Sequence, residues 1–292
     1  MSKNTSKKLL PFIFFFSFMQ YINGQTVMSY THGKAFTKQI ENSAQQLLDS
    51  KSFKPIKEIA GEAQLLKNNM PVAENIHLPK SADDKKLAGE ELFNKRKQGV
   101  LVVGKCYNCG NCNKTHKGPI ATAFAITSDG VCVTNYHVLD DLLEKPGESL
   151  TKDSLYYVST IAGKIYAIDK VLAYSKEGDV AIFRLAIGND KLDPIPLGTA
   201  AQEGSFVCAI THPEGMYYYY SQGAIARNVS GETAQGDRME ITADYAVGSS
   251  GGPIINQSGQ LVGVVSSTRD INGQMVVKET IPVNTIKQLL NK

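Results

Sequence analysis

From Val100 to Thr280 the chain repeats one pattern: a short apolar run, then a polar turn carrying Gly, Asp or Asn. VLVVG (100–104), IATAFAI (120–126), VCVT (131–134), LYYVST (155–160), KIYAIDKVLAY (164–174) and DVAIFRL (179–185) form a first group of six runs. IPLG (195–198) separates them from SFVCAIT (205–211), MYYYYSQGAIA (216–226), RMEITA (238–243), PIIN (253–256), QLVGVVSST (260–268) and QMVVKET (274–280). Runs this short, rich in Val, Ile, Tyr and Phe and bounded by turn residues, predict strands. Tyr217 to Tyr220 should form a half-buried strand with alternate rings exposed. Ile281 to Leu290 reads as a closing helix with Pro282 in its first turn. Two groups of six strands suggest a pair of antiparallel barrels, although strand count alone also permits a sandwich.

Residues 25–97 follow a different rhythm. Phe36, Ile40, Ala44 and Leu47/Leu48 recur at helical spacing, and Ile59 through Leu66 continues it. Ser81-Ala82-Asp83-Asp84 predicts a further helix start, with Lys95-Arg96-Lys97 in the last turn. This predicts a helical N-terminal region, either propeptide or packing extension, before a main domain spanning 98–292. Ahead of it, Lys7 and Lys8 precede the apolar run Leu9 to Met19 and the polar stretch Gln20 to Gln25. A basic flank and a short apolar run describe a signal peptide over residues 1–24. A run of about 11 residues falls short of the roughly 20 that span a bilayer. Export to a periplasmic or extracellular location without a stable membrane anchor is therefore expected.

Composition changes little. A net charge of +3, with no long Lys/Arg run, gives no footprint for nucleic acid.

Three positions carry candidate chemistry. His137 follows a strand in TNYHV, Asp179 opens the strand DVAIFRL, and Ser250 sits in GSSGGP. A serine hydroxyl needs a base to become a nucleophile, and an imidazole base needs a carboxylate to fix its tautomer. Each residue alone has a bland reading: structural histidine, turn aspartate, Gly/Ser linker. Together, in this order on a two-barrel pattern, they resemble the chymotrypsin-fold, trypsin-like serine peptidases. The HtrA/Deg-type protease domain is the nearer likeness, through ATAFAITSDGVCVTNYHVL, GDVAIFRL, GSSGGPIINQSGQLVGVVS and KETIPVNTIKQLL.

The resemblance covers residues 98–292 and implies an all-β, chymotrypsin-like double six-stranded antiparallel barrel with a C-terminal helix and a helical N-terminal extension. It implies a serine endopeptidase acting on polypeptides, with His137 as base and acid, Asp179 as orienter and Ser250 as nucleophile, and no cofactor required for catalysis. Ser249 then holds the variable place of Gly-x-Ser-Gly-Gly-Pro. The backbone N–H groups of Gly248 and Ser250 form the oxyanion hole, such donors contributing about 3–4 kcal/mol each to a transition state. Ser249 stands where trypsin-type zymogens carry an Asp, so that activation switch is not expected. The chain ends at Lys292 after the closing helix, so the PDZ domains common in that family are not expected, and no motif indicates an oligomeric state. Asp244, six positions before Ser250, stands where a trypsin-like pocket holds its carboxylate and would favour Lys or Arg. The same position in HtrA proteins carries an Asp without that preference.

Cys106, Cys109, Cys112 and His116 spell C-x2-C-x2-C-x3-H between the first two strands. Disulfides are the ordinary use of cysteine after export, and a structural zinc held by three thiolates and an imidazole is the other leading reading. Cys132 and Cys208 fall in predicted strands, where a buried thiol is the default. His32, His77 and His212 have no partner that the sequence alone makes visible. Two further functions stay open: a catalytically silent binding protein on the protease fold, and a protease regulated by a Cys/His metal or redox loop.

Overall fold

The computed structural model describes residues 33–80, 84–109, 112, 114–144 and 154–292. The signal-like stretch 1–24 and the Ser81–Asp83 start lie outside the described residues. Twelve strands form two closed antiparallel barrels. The first contains β1 (Val100–Asn108), β2 (Thr115–Ala125), β3 (Val131–Thr134), β4 (Leu155–Ser159), β5 (Ile165–Ser175) and β6 (Val180–Leu185), in the order β1-β2-β3-β6-β5-β4. The second contains β7 (Phe206–Thr211), β8 (Tyr219–Val229), β9 (Arg238–Ile241), β10 (Pro253–Ile255), β11 (Leu261–Ile271) and β12 (Met275–Pro282), in the order β10-β11-β12-β9-β8-β7. The sandwich alternative is thereby excluded, since closure leaves neither sheet an edge.

Both faces of β1 are covered, which explains its unbroken apolar start. Alternate side chains enter two cores. Val100, Val102 and Cys106 join Phe124, Tyr157 and Ile182. Leu101 and Val103 join Ala123, Cys132 and Phe183. The first of these cores continues into the second barrel through Cys208, Ile210, Ile255 and Val264. The second barrel adds a cluster of its own around Val207, Ile225, Ile241 and Ile254.

The N-terminal segment is built into the same structure. Helices α1 (Gly33–Ser50) and α2 (Ile56–Ala63) bury Ile40 and Ala44, and Ile56, Ile59, Ala60 and Ala63, respectively. These side chains belong to the two cores of the first barrel. Beyond α2 the chain donates the Asn69 N–H to Tyr174 O at 3.0 Å, Val72 N–H to Leu289 O at 2.8 Å and Leu87 N–H to Gln257 O at 3.0 Å. The segment thus contacts β5, the C-terminal helix and the β10–β11 turn in succession.

Several elements differ from the sequence expectation. Helix α3 covers Gly89–Arg96 only, and its start is capped by the Glu91 carboxylate, which accepts the Ala88 N–H at 2.9 Å. Strand β12 continues through Pro282, so the last described helix, α5 (Val283–Leu289), starts after the proline, with α4 (Asp140–Leu143) the short helix before it in the chain. Tyr217 and Tyr218 are not strand residues with alternating rings. Both are buried, Tyr218 takes a left-handed φ of 57°, and Tyr217 packs edge-on against Phe36 at 4.8 Å. Burial under α1 overrides the strand pattern there.

Candidate active site

His137 lies in a single 3-10 turn, Tyr136–Val138, directly after β3. The approach to that turn is tied at both ends. Thr134 Oγ1 donates to Thr122 O at 2.8 Å, and Asn135 Nδ2 donates to Asp179 O at 2.9 Å. Asp179 precedes β6 in a left-handed conformation, φ 49°, which a short polar side chain tolerates better than a bulky one. The His137 Nδ1 stands 2.9 and 3.0 Å from the two Asp179 oxygens, and the His137 backbone N–H donates to Oδ1 at 3.2 Å. An Nδ1 proton shared with the carboxylate leaves Nε2 as the acceptor. Burial of the imidazole opposes its protonation, yet the Asp179 hydrogen bond and charge, with the charge of Asp140, outweigh it and raise the His137 pKa above its ordinary value.

Ser266 on β11 donates its hydroxyl to Asp179 Oδ2 at 2.7 Å. Sequence reasoning missed it, because the contact joins residues 87 positions apart and carries no motif.

The adjacent serines have separate tasks. Ser249 is fully buried, and its Oγ bonds Thr211 Oγ1 at 3.1 Å. Ser250 is partly exposed and lines a cavity with His137, Gly248, Val247, Ile120 and Lys105. No hydrogen bond joins Ser250 Oγ to His137 among the described residues. Ser250 is flanked by glycines with positive φ, 92° at Gly248 and 80° at Gly251. A Cβ at Gly248 would meet His212 O at 2.7 Å, and one at Gly251 would meet Thr122 O at 2.3 Å. Both positions therefore need glycine for conformation and for space.

Among the described residues, neither the Gly248 nor the Ser250 N–H donates to a protein acceptor. Their carbonyls are occupied instead: Thr122 N–H donates to Ser250 O at 2.9 Å, and Thr122 Oγ1 to Gly248 O at 2.9 Å. This leaves two N–H groups unspent beside the candidate nucleophile, the arrangement an oxyanion requires. Thr122 was also not legible in the sequence. Val247, beside Gly248, is an exposed apolar residue on the lip of the cavity, and Ile120 is another.

Asp244 occupies a different setting from the cavity residues. Its side chain is largely exposed and pairs with Lys278 Nζ at 2.8 Å. That ammonium holds the Asp244 carboxyl below the usual range. Asp244 does not line the cavity that holds Ser250.

The four residues of C-x2-C-x2-C-x3-H separate. Cys106 is fully buried in the core with Leu155 and Tyr157, where burial pushes its thiol up to about 12. Cys109, Cys112 and His116 instead bring their ligand atoms together at the hairpin tip. The physical reason is strand alternation: residue 106 faces the opposite side of β1 from Tyr107, whose cross-strand partner is His116. No disulfide is formed among the described residues, and the Cys109 and Cys112 sulfurs stand 3.5 Å apart, against about 2.05 Å for a bond.

Residues 121–264 match the family model described as a trypsin-like peptidase domain. Among curated proteins, Protease Do-like 1, chloroplastic, of Arabidopsis thaliana is 30% identical over 183 residues, covering 59% of this chain and 38% of the relative. Anti-sigma-I factor RsgI9 of Acetivibrio thermocellus is 27% identical over 175 residues, covering 58% of this chain and 22% of the relative. This chain therefore spans well under half the length of these relatives. Among solved structures, an HtrA-type protease AlgW with decapeptide superposes with a TM-score of 0.56 at 16% identity, covering 70% of this chain and 66% of that one. That likeness carries the fold, two six-stranded barrels. Residues 121–264 thus match a trypsin-like peptidase domain, and the chain is similar in sequence to a Do-like protease and in fold to an HtrA-type protease.

Proposed function

We propose that this chain is an exported serine endopeptidase that hydrolyses peptide bonds through an acyl-enzyme at Ser250. One observation carries the reading. An imidazole already bonded to a carboxylate shares its cavity with a serine whose own backbone N–H, like that of Gly248, is unspent among the described residues. In the reaction, His137 Nε2 accepts the Ser250 hydroxyl proton as Oγ attacks the scissile carbonyl. The Gly248 and Ser250 N–H groups then receive the negative oxygen. Protonated His137 is held by Asp179 and returns its proton to the leaving amine, and water repeats the sequence to release the acid. The lack of a hydrogen bond from Ser250 Oγ to His137 among the described residues is compatible with this chemistry, because catalytic hydrogen bonds often tighten only in the reacting complex.

Export rests on the basic flank at Lys7 and Lys8 followed by the apolar run to Met19. Because Lys278 already neutralises Asp244, we assign no preference for a basic residue before the cleaved bond. Residues 33–97 act in this reading as a packing extension, since their apolar side chains complete the barrel cores.

The test treats folded protein and a Ser250→Ala variant with a fluorophosphonate, followed by intact mass and site mapping. Stoichiometric labelling at Ser250, absent from the variant, is the expected result. Folded protein that takes no label at Ser250 would sink the catalytic reading and leave a binding protein on the protease fold.

A further inference from the structure

We infer that Cys109, Cys112 and His116 form a zinc site at the tip of the β1–β2 hairpin, against the edge of the candidate active site. The three donor atoms make a compact triangle. Cys109 Sγ and Cys112 Sγ are 3.5 Å apart, and His116 Nε2 lies 3.1 Å from the first and 3.2 Å from the second. A tetrahedral zinc ion bonded at about 2.3 Å to sulfur and about 2.0 Å to nitrogen separates its ligands by roughly 3.5–3.8 Å. The observed triangle is one face of that tetrahedron, slightly closed, so an ion needs only a few tenths of an ångström of spreading. Two thiolates and an imidazole form a donor set suited to zinc, whereas calcium and magnesium require oxygen.

Solvent exposure strengthens the argument. Cys109 and Cys112 are exposed, and a thiol is a weak hydrogen-bond partner that gains little from meeting another in water. Two thiols and an imidazole converging on one point from a surface hairpin therefore indicate a shared ion. Cys106 points into the core and is not the fourth ligand.

The position gives the ion a structural consequence. The His116 ring stacks on Tyr107 with centroids 5.4 Å apart and planes 27° from parallel. Tyr107 lines the cavity that holds His137 and Ser250. Zinc on Nε2 would fix the His116 ring, and through the stack it would fix Tyr107 at the cavity wall.

The rival use of the same residues is a Cys109–Cys112 disulfide, so the experiment separates the two. The full chain, purified under reducing conditions, is loaded with zinc chloride, desalted and assayed for bound zinc. Cobalt chloride in parallel gives the visible and near-ultraviolet spectrum. The expected result is a single equivalent of zinc per chain and a cobalt spectrum with thiolate charge-transfer bands and tetrahedral d–d bands. Cys109→Ser, Cys112→Ser and His116→Ala should each fall to background zinc while melting cooperatively, and Cys106→Ala should keep its metal. The Ser250→Ala variant should also keep it, which makes this result independent of the protease reading. The inference is overturned if the reduced wild type retains no zinc or if His116→Ala retains it fully. It is also overturned if the protein shows a two-hydrogen mass loss at Cys109 and Cys112 that zinc loading does not prevent.

Discussion

The two barrels prepare their halves of the candidate active site differently. In the first, His137 and Asp179 already form a complete hydrogen-bonded pair within one barrel. In the second, the loop 244–252 is shaped from outside, because Thr122 of β2 occupies both the Gly248 and the Ser250 carbonyls. The exchange runs the other way as well, since Ser266 of β11 completes the shell of Asp179. Each barrel sends one hydroxyl-bearing residue to fix the other's reactive group. The site therefore reads out the docking of the barrels, and the base half should survive perturbations that loosen the nucleophile half.

The largest expected effect tests the half that is assembled within one barrel. Asp179→Asn keeps the shape of the pair but favours the wrong imidazole tautomer, and kcat on a cleavable peptide should fall about ten-thousand-fold. The folded state should persist, as judged by an unchanged thermal transition to within a few degrees. A loss of only a few-fold would show that Asp179 does not orient His137.

Smaller effects address the two crossing residues. Thr122→Val removes the hydroxyl that fixes the Gly248 carbonyl, and Ser266→Ala removes a donor from Asp179. Each should lower kcat roughly five- to tenfold, the scale of one hydrogen bond of ~1 kcal/mol. Ser266→Ala should also move the acid limb of the pH profile, which Thr122→Val should leave in place. Identical pH behaviour in the two variants would contradict this division of labour.

The smallest effect is a pH shift. Asp140 helps raise the His137 pKa, and activity needs that imidazole neutral. Asp140→Asn should lower the pKa and carry the acid limb of kcat/KM to lower pH, with kcat at alkaline pH unchanged. A limb that stays in place, or moves upward, would remove Asp140 from the electrostatics of the base.

Much of this was legible in the sequence, for identifiable reasons. Strand periodicity is local, so the two barrels could be read from runs such as VCVT and PIIN. His137, Asp179 and Ser250 could be picked out because each sits in a distinctive local setting. The rest depends on contacts between distant residues. Thr122 and Ser266 resemble any strand hydroxyl until the barrels are docked. Cys106 could be separated from Cys109 and Cys112 only once β1 was known to continue through Asn108, because pairing with β2 then decides which side chains face the core. Tyr217 and Tyr218 carry a strand-like composition, but α1 lies over them and holds Tyr218 in a left-handed turn.

The strap formed by residues 33–97 has a consequence for how the chain reaches this state. It is synthesised before its partners, yet its contacts run to Tyr174, Gln257 and Leu289, which are made late. Helix α2 covers only eight residues, too few to persist alone in water. The strap must therefore wait for both barrels, and contacts so distant in sequence place the chain among slow folders. Refolding should show a late, slow phase in which α1 and α2 gain helicity together with the last tyrosine burial.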